Sequence, residues 1–377
     1  MMTTGFRSVS VTAVKAGSAV HPRDMYAVYF QKHGDSDVLE TGRLPVPSPS
    51  PHEVLIRVEA TSVNRLDIAV RKGFPGLSLG WPHIPGSDAV GRIESTGNEV
   101  TGCEPGQRVV INPGIACGRC NRCLSGKSTL CDRFVIVGEQ INGAYAEYVT
   151  VPSLNIKRVP ADFPLIKAAA APLAYITAWH SLVTRAGLKF GDRVLVSGGS
   201  GGVSTAAIQI ARLFDAHVVA TTRAEEKAER LRAIGASEVI VTGKPEGWAK
   251  SYMSSGGRPF DIVIDSVGSA LWKDNMRLLG RGGRLVNYGR TSGGEVSMDL
   301  SFVFWKQLQV IGSTMGDPGD FETVMNLIFS RKLDPVVDRV FPLREAAEAQ
   351  DYLEASRQTG KVVLLNGERN SPEDRAE

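Results

Sequence analysis

The chain has 377 residues, 42% of them hydrophobic and 22% charged, which is long enough for two globular domains with separate cores. A formal net charge of +3 is too small to point to nucleic acid or an anionic membrane surface. No stretch reaches the apolar length that spans a bilayer, so small molecules are the expected partners.

Residues 1–24 are rich in Ser, Thr and Val, carry Arg7, Lys15 and Arg23, and lack the apolar core of a secretory signal. They are expected to form a disordered extension ahead of a first strand at Met25–Phe30, and the protein is expected to be cytoplasmic. From Met25 to about Pro160, short strands such as Val54–Ala60 and Arg108–Ile111 alternate with Gly and Pro turns, the pattern of a small irregular β domain. Within it Cys117, Cys120 and Cys123 are spaced Cys-x-x-Cys-x-x-Cys, and Cys131 follows after seven intervening residues. Four thiolates at this spacing can close a tetrahedron around a structural Zn2+, with no open position for chemistry. In a reducing compartment this reading outweighs a pair of disulfides. The fifth cysteine, Cys103, reads as a small apolar filler.

The second half opens with Arg193–Val196, apolar β-formers that run into Ser197-Gly198-Gly199-Ser200-Gly201-Gly202-Val203-Ser204. Beyond the turn, Val203, Ala207, Ile210, Ala211 and Phe214 fall at helical spacing, and a second strand follows at Ala216–Thr221. Strand, glycine turn and helix make a dinucleotide site. Glycine lets the backbone approach a pyrophosphate, and the first amides and dipole of the helix attract its charge. Gly199, Ser200, Gly201, Gly202 and Val203 are the cofactor-binding candidates of this turn. Phe260–Gly268 and Gly283–Gly289 read as further core strands, separated by a helix marked by Leu271, Met276, Leu278 and Leu279, and the sheet is expected to end at Leu308–Ser313. A helix carrying Phe321, Val324, Met325 and Ile328, another over Glu345–Arg357 and a strand at Lys361–Leu365 close the fold, ahead of a polar tail over 367–377.

A β domain with this cysteine lobe, followed by Gly-x-Gly-Gly-Val in a βαβ unit, resembles the medium-chain dehydrogenase/reductase superfamily of zinc alcohol dehydrogenases and quinone oxidoreductases over nearly all of residues 25–365. The resemblance implies an α/β protein with a GroES-like catalytic domain over 25–160 and 315–366, its structural zinc lobe at 117–131, and a Rossmann doubly wound parallel-sheet domain over 161–314. It further implies a catalytic cleft between the two, with Val267, Tyr288, Gly289 and Arg290 near the nicotinamide half of the cofactor. The segment Phe302–Trp305 would lie near a contact joining two cofactor domains in a homodimer, although an ordinary core helix explains its aromatic run about as well. The relatives often carry a third glycine where Ser204 stands, so a slight shift of the helix is expected. Where NAD enzymes place an acid after the second strand, this chain has Thr222, with Arg223 and Lys227 able to meet a 2′-phosphate; NADPH is the expected cofactor.

The alcohol dehydrogenase branch also holds a catalytic zinc, and its three ligands are missing here. Asn64 stands for the first cysteine, Ser87 of Pro85-Gly86-Ser87-Asp88 for the histidine, and Leu173 for the third ligand. These forms resemble instead the quinone oxidoreductase and enoyl reductase branches, which deliver hydride to a carbonyl-conjugated C=C bond or a quinone. Asn64, Asp67 and Thr177 are the catalytic candidates. Asn64 is either a polar contact near the nicotinamide or a loop residue capping its own backbone, and Asp67 either orders that loop or joins a proton relay. Phe74 stands where some relatives have a tyrosine donor, and Tyr145 reads as packing in the last strand before the crossover, so the proton source is open. The competing readings are a zinc alcohol dehydrogenase with atypical ligands and an NADPH-binding protein without catalysis.

Overall fold

The computed structural model describes residues 23–243 and 247–367; residues 1–22 of the expected extension and 368–377 of the tail lie outside the described residues. Six parallel strands form one sheet, in the spatial order Glu238–Val241, His217–Thr222, Arg193–Val196, Phe260–Asp265, Leu279–Asn287 and Gln309–Gly312. The chain order reverses between Arg193–Val196 and Phe260–Asp265, and a crevice opens at the carboxyl ends of the strands at such a reversal. The near-continuous apolar runs reflect two covered faces. Val194, Val196, Ile262 and Ile264 pack beneath the helix Gly202–Leu213, while Leu195, Val219, Val263 and Leu285 pack against Trp248, Tyr252 and Trp272.

A second sheet is largely antiparallel and joins Val337–Pro342, Lys361–Leu365, Glu53–Val63, Val90–Thr96, Arg108–Ile111 and Ile156–Arg158, with Tyr148–Pro152 also paired to Glu53–Val63. The last strand of the chain thus pairs with the third, Val362 opposite Val63 and Leu365 opposite Ala60. The first strand, Asp24–Tyr29, stands apart in a two-stranded ribbon with Glu40–Pro45. Tyr145 precedes the strand Tyr148–Pro152 rather than lying in it. Among the described residues, no helix is long and apolar enough to cross a membrane.

Two helices are irregular in shape or setting. Pro172–Trp179 does not stop at its aromatic end but widens into a π-helical turn over His180–Arg185, where Ala186 N bonds Ser181 O. The helix Leu300–Lys306 is not a core helix: Leu300, Phe304 and Trp305 are about two-thirds exposed, beside the edge strand Gln309–Gly312 with Val310 open as well.

The chain's return is held by Arg71, whose side chain is fully buried. From the helix Arg65–Lys72, its Nε donates to Gln350 Oε1 at 2.7 Å and its Nη2 to Glu354 Oε2 at 3.1 Å, both on the helix Ala346–Glu354, and Nη1 donates to Gly34 O at 3.1 Å. Removing one member of a buried charged cluster strands the other polar groups, which costs about 3–5 kcal/mol. Arg71→Met is therefore expected to lower the unfolding free energy by that amount in urea denaturation, and Glu354→Gln by about 1 kcal/mol because Glu354 is partly solvated.

Candidate active site

The glycine turn follows strand Arg193–Val196 at the crevice. Gly198 has a φ of 67°, a left-handed conformation that favours glycine, and Gly199 N donates to Thr221 O at 2.7 Å. A Cβ on Gly199 would stand 3.0 Å from that of Ala220, so this glycine is required by the close approach of the neighbouring strand. Gly201 caps the helix Gly202–Leu213, whose first amides have no intrahelical partner and face the crevice end of the strand. Ser204 is buried, and its hydroxyl lies 3.3 Å from that of Tyr288, a contact glycine could not make.

At the far end of the next strand, Thr222 is buried and its Oγ1 accepts from Ala224 N at 3.2 Å. Lys227 requires a correction: its Nζ donates to Ser356 O at 2.6 Å and Gln358 O at 2.8 Å, so it binds the returning chain instead of standing free for a phosphate. Burial lowers its pKa. Arg223 is exposed, and a second guanidinium that sequence reasoning missed, Arg65, lies near it. Arg65 donates to Ser356 Oγ at 2.7 Å, and its pKa is lowered by desolvation and by Arg223, against the pull of Glu354.

Where a catalytic metal would sit in relatives, the side chains are committed to one another. Asp88 is fully buried; its Oδ2 accepts from Ser62 Oγ at 2.6 Å, Asn64 Nδ2 at 2.9 Å and Lys361 Nζ at 3.2 Å, and its Oδ1 accepts from Leu173 N at 2.8 Å. Lys361 Nζ also donates to Asn64 Oδ1 and to Val63 O. Both polar atoms of the Asn64 side chain are thereby used inside the network. Leu173 offers no ligand atom, and it joins Ile136 and Met315 in an apolar wall with Leu66 and Phe134 at its edge. Zinc needs thiolate, imidazole or carboxylate, so Asn64, Ser87 and Leu173 do not fit it.

Asp67 is fully buried and caps the helix Arg65–Lys72, its Oδ2 accepting from Asn64 N at 2.8 Å and from the Tyr145 hydroxyl at 3.0 Å. Burial raises its pKa to about 7, against the lowering effects of those bonds and of Lys361. Two buried hydroxyls, Ser87 Oγ and Thr177 Oγ1, have no hydrogen-bond partner among the described residues. An unpartnered buried hydroxyl costs about 1–3 kcal/mol, a cost that a ligand can relieve.

Val267 sits over the turn, its Cγ2 about 3.1 Å from where a Cβ of Gly198 would stand. Tyr288, Gly289 and Arg290 line an open cavity of about 800 Å³, together with His180, Thr184, Ser313, Thr314 and the lobe residues Thr129 and Leu130. His180 Nδ1 lies 2.6 Å from Asp320 Oδ2. Sequence reasoning passed over this pair and over Lys361. The available signals were a histidine ending an apolar helix and a lysine at the head of a closing strand that is otherwise apolar.

The four lobe thiols lie within 4.8 Å of one another, with Sγ separations of 3.5 Å for Cys120–Cys123 and 3.9 Å for Cys117–Cys123. Four sulfurs at zinc-bond length around one ion stand ~3.8 Å apart, so the lobe fits Zn2+ and none of the thiols is in a disulfide. Backbone N–H groups of Arg119 and Cys120 favour the Cys117 thiolate and lower its pKa to about 5.

Residues 50–161 match the alcohol dehydrogenase GroES-like domain model, and residues 202–330 the zinc-binding dehydrogenase model. The chain is 31% identical to an NAD-dependent alcohol dehydrogenase of Sulfurisphaera tokodaii over 85% of this chain and 95% of that protein. It is 30% identical to an acryloyl-coenzyme A reductase of Metallosphaera sedula over 90% and 99%. A crystal structure of an NAD-dependent alcohol dehydrogenase superposes with a TM-score of 0.87 at 42% identity, covering 91% of this chain and all of that one.

Two outcomes are expected from this geometry. Metal analysis of the purified protein should return about one zinc per chain, lost on replacing Cys120 or Cys131 by Ser; about two would mean a second, catalytic site. Because the folded pKa of Asp67 is raised, its protonated form is favoured by folding; that contribution is complete below about pH 4 and is lost as pH rises through about 7. The unfolding free energy of the parent should fall across this window, and that of Asp67→Asn should fall less, as measured by denaturation at a series of pH values.

Proposed function

Because the chain belongs to the medium-chain dehydrogenase/reductase superfamily, we propose that it is an NADPH-dependent oxidoreductase that reduces a carbonyl-conjugated C=C bond or a quinone without a catalytic zinc. The observation that carries this reading is the closed Asn64–Asp88–Lys361 network beside the apolar Leu173 wall. Alcohol oxidation needs a Lewis acid on the oxygen, whereas a conjugated acceptor is already activated by its own carbonyl.

When bound, the nicotinamide supplies the hydride. The chain's own residues hold and surround the reactants. The amides of Ser200 to Val203 and the dipole of helix Gly202–Leu213 bind the pyrophosphate. Arg223, with Arg65 behind it, meets the 2′-phosphate, and Thr222 adds no competing negative charge. Thr177, on the helix that also carries Leu173, is the polar side chain proposed to orient a carbonyl oxygen of the substrate. Leu173, Ile136 and Met315 exclude water from the acceptor face. Zinc in the four-cysteine lobe is structural. The exposed helix Leu300–Lys306 and the edge strand Gln309–Gly312 form the surface on which a second copy docks to make a homodimer.

The similarity to NAD-dependent alcohol dehydrogenases favours a second reading, alcohol oxidation. Initial rates separate the two. NADPH oxidation is expected with at least one of an enone, enal, enoyl thioester or quinone, with no reduction of NADP or NAD by simple alcohols. Arg223→Ala should raise KM for NADPH about tenfold, the equivalent of one charge-assisted bond, and leave that for NADH unchanged. Alcohol turnover by protein holding about two zinc ions per chain would overturn the proposal.

A further inference from the structure

We propose that His180 is the proton donor of the reaction, an inference that rests on the reductase reading above. Hydride addition to the β-carbon of a conjugated acceptor leaves an enolate, and its α-carbon needs a proton. Asp67 and Tyr145 are hydrogen-bonded to each other in the interior, and Asn64 is held in the Asp88 network.

His180 lies three residues beyond Thr177, on the same face of one helical segment, at the point where the α-helix gives way to the π turn. Its side chain is 5% exposed. Asp320 accepts from His180 Nδ1 at 2.6 Å and Asp317 N at 3.0 Å on Oδ2, and from Thr184 Oγ1 at 2.6 Å on Oδ1. Burial pushes the Asp320 pKa up, but the bonds from His180, Thr184 and Asp317 outweigh it and hold the carboxyl below its usual range. An ionised acceptor fixes a proton on Nδ1 and leaves Nε2 as the atom that exchanges one. Nε2 has no hydrogen-bond partner among the described residues and is not sealed from solvent, and the ring forms part of the wall of the 800 Å³ cavity that also holds Tyr288 and Gly289.

The charged groups around the ring come from each neighbouring element: Asp317 and Asp320 from the helix Pro318–Phe329 and its cap, Arg185 from its own segment, Arg290 from the loop after Leu279–Asn287, and Lys127 from the cysteine lobe. His180, Asp317 and Asp320 have ligand atoms within 4.8 Å of one another. Both Asp320 oxygens and Asp317 Oδ1, which accepts from Thr129 N at 2.8 Å, already serve as hydrogen-bond acceptors, so the cluster reads as a histidine–carboxylate pair before a metal site.

In the step itself the α-carbon of the enolate forms a C–H bond with the Nε2 proton, and the electron pair of the N–H bond stays on the ring. The neutral imidazole keeps its Nδ1 proton on Asp320, and water at the cavity mouth restores the proton on Nε2. The acceptor gains one hydride and one proton in total.

The test has two arms. In the first, His180→Asn keeps a donor toward Asp320 and removes the exchangeable proton. It should lower kcat about 10²-fold while the Kd for NADPH, read by fluorescence, is unchanged, and should abolish the fall of kcat with rising pH that the proposal expects of the parent. Asp320→Asn should shift that fall to lower pH. In the second arm, imidazole nitrogen NMR of the unaltered protein should show Nδ1 protonated throughout, and Nε2 titrating and shifting when NADP and a saturated ketone are added together. Unchanged kcat and pH profile in His180→Asn, an Nε2 signal indifferent to pH and ligand, or a second metal ion lost in both variants would each overturn the role of His180. Failure of the parent to reduce any acceptor, with the NMR response intact, would sink the reductase reading instead.

Discussion

One buried ion pair sets the geometry of the cleft. Lys361, at the head of the last strand and only 3% exposed, meets with its ammonium the Asp88 carboxylate and the Asn64 amide oxygen, which flank strands of the largely antiparallel sheet. An ammonium or a carboxylate alone in that interior would cost several kcal/mol; together, with Ser62, Leu173 N and Val63 O completing their bonds, they are tolerable and place each partner closely. The same lysine passes so near the cofactor helix that a Cβ on Gly202 would stand 2.6 Å from its Cδ, and Gly360 N donates to Ser200 O at 3.0 Å. The returning chain, the loops flanking the largely antiparallel sheet and the glycine turn are thus fixed to one another at a single point.

The position of this pair explains the chemistry proposed for the cleft. A metal site would need donors with free lone pairs directed to a common centre. Here Asn64 is turned inward to the ion pair, and Leu173 contributes an amide N–H to Asp88 and an apolar side chain to the wall. Two neutral hydroxyls of this region, Ser87 Oγ and Thr177 Oγ1, are left in the interior without a hydrogen-bond partner among the described residues. One turn further along the same segment, the π-helical widening carries His180 against Asp320. Thr177 and His180 thus stand on neighbouring turns of one helical segment.

Much of the fold could be read in the residues because its signals are local. The lobe cysteines lie within fifteen residues of one another, and their pattern survives folding as a cluster of Sγ atoms at zinc spacing. The glycine turn is likewise a matter of short-range backbone sterics, and the strand order 3-2-1-4-5-6 follows from alternating strands and helices with right-handed crossovers. Individual side chains were less legible. Tyr145 looked like strand packing and instead holds Asp67, and Lys227 looked like a phosphate ligand and instead binds Ser356 and Gln358 carbonyls more than 120 residues away. Phe302 to Trp305 were compatible with a core helix, and the structure leaves that face open.

The sequence by itself determined that two domain types are present, that a dinucleotide turn opens the second, that a four-thiol lobe sits in the first, and that a catalytic zinc lacks its ligands. These depend on residue type and spacing, which the covalent chain carries directly. Only the tertiary structure decided that Lys361 ties Asn64 to Asp88, that Arg65 stands with Arg223, and that Asp320 orients His180, 140 residues away, toward the cavity. Each of these is a long-range pairing of charged or polar groups. Its partners are chosen by the burial that folding imposes, because an unpaired charge is tolerated in water and not in the interior.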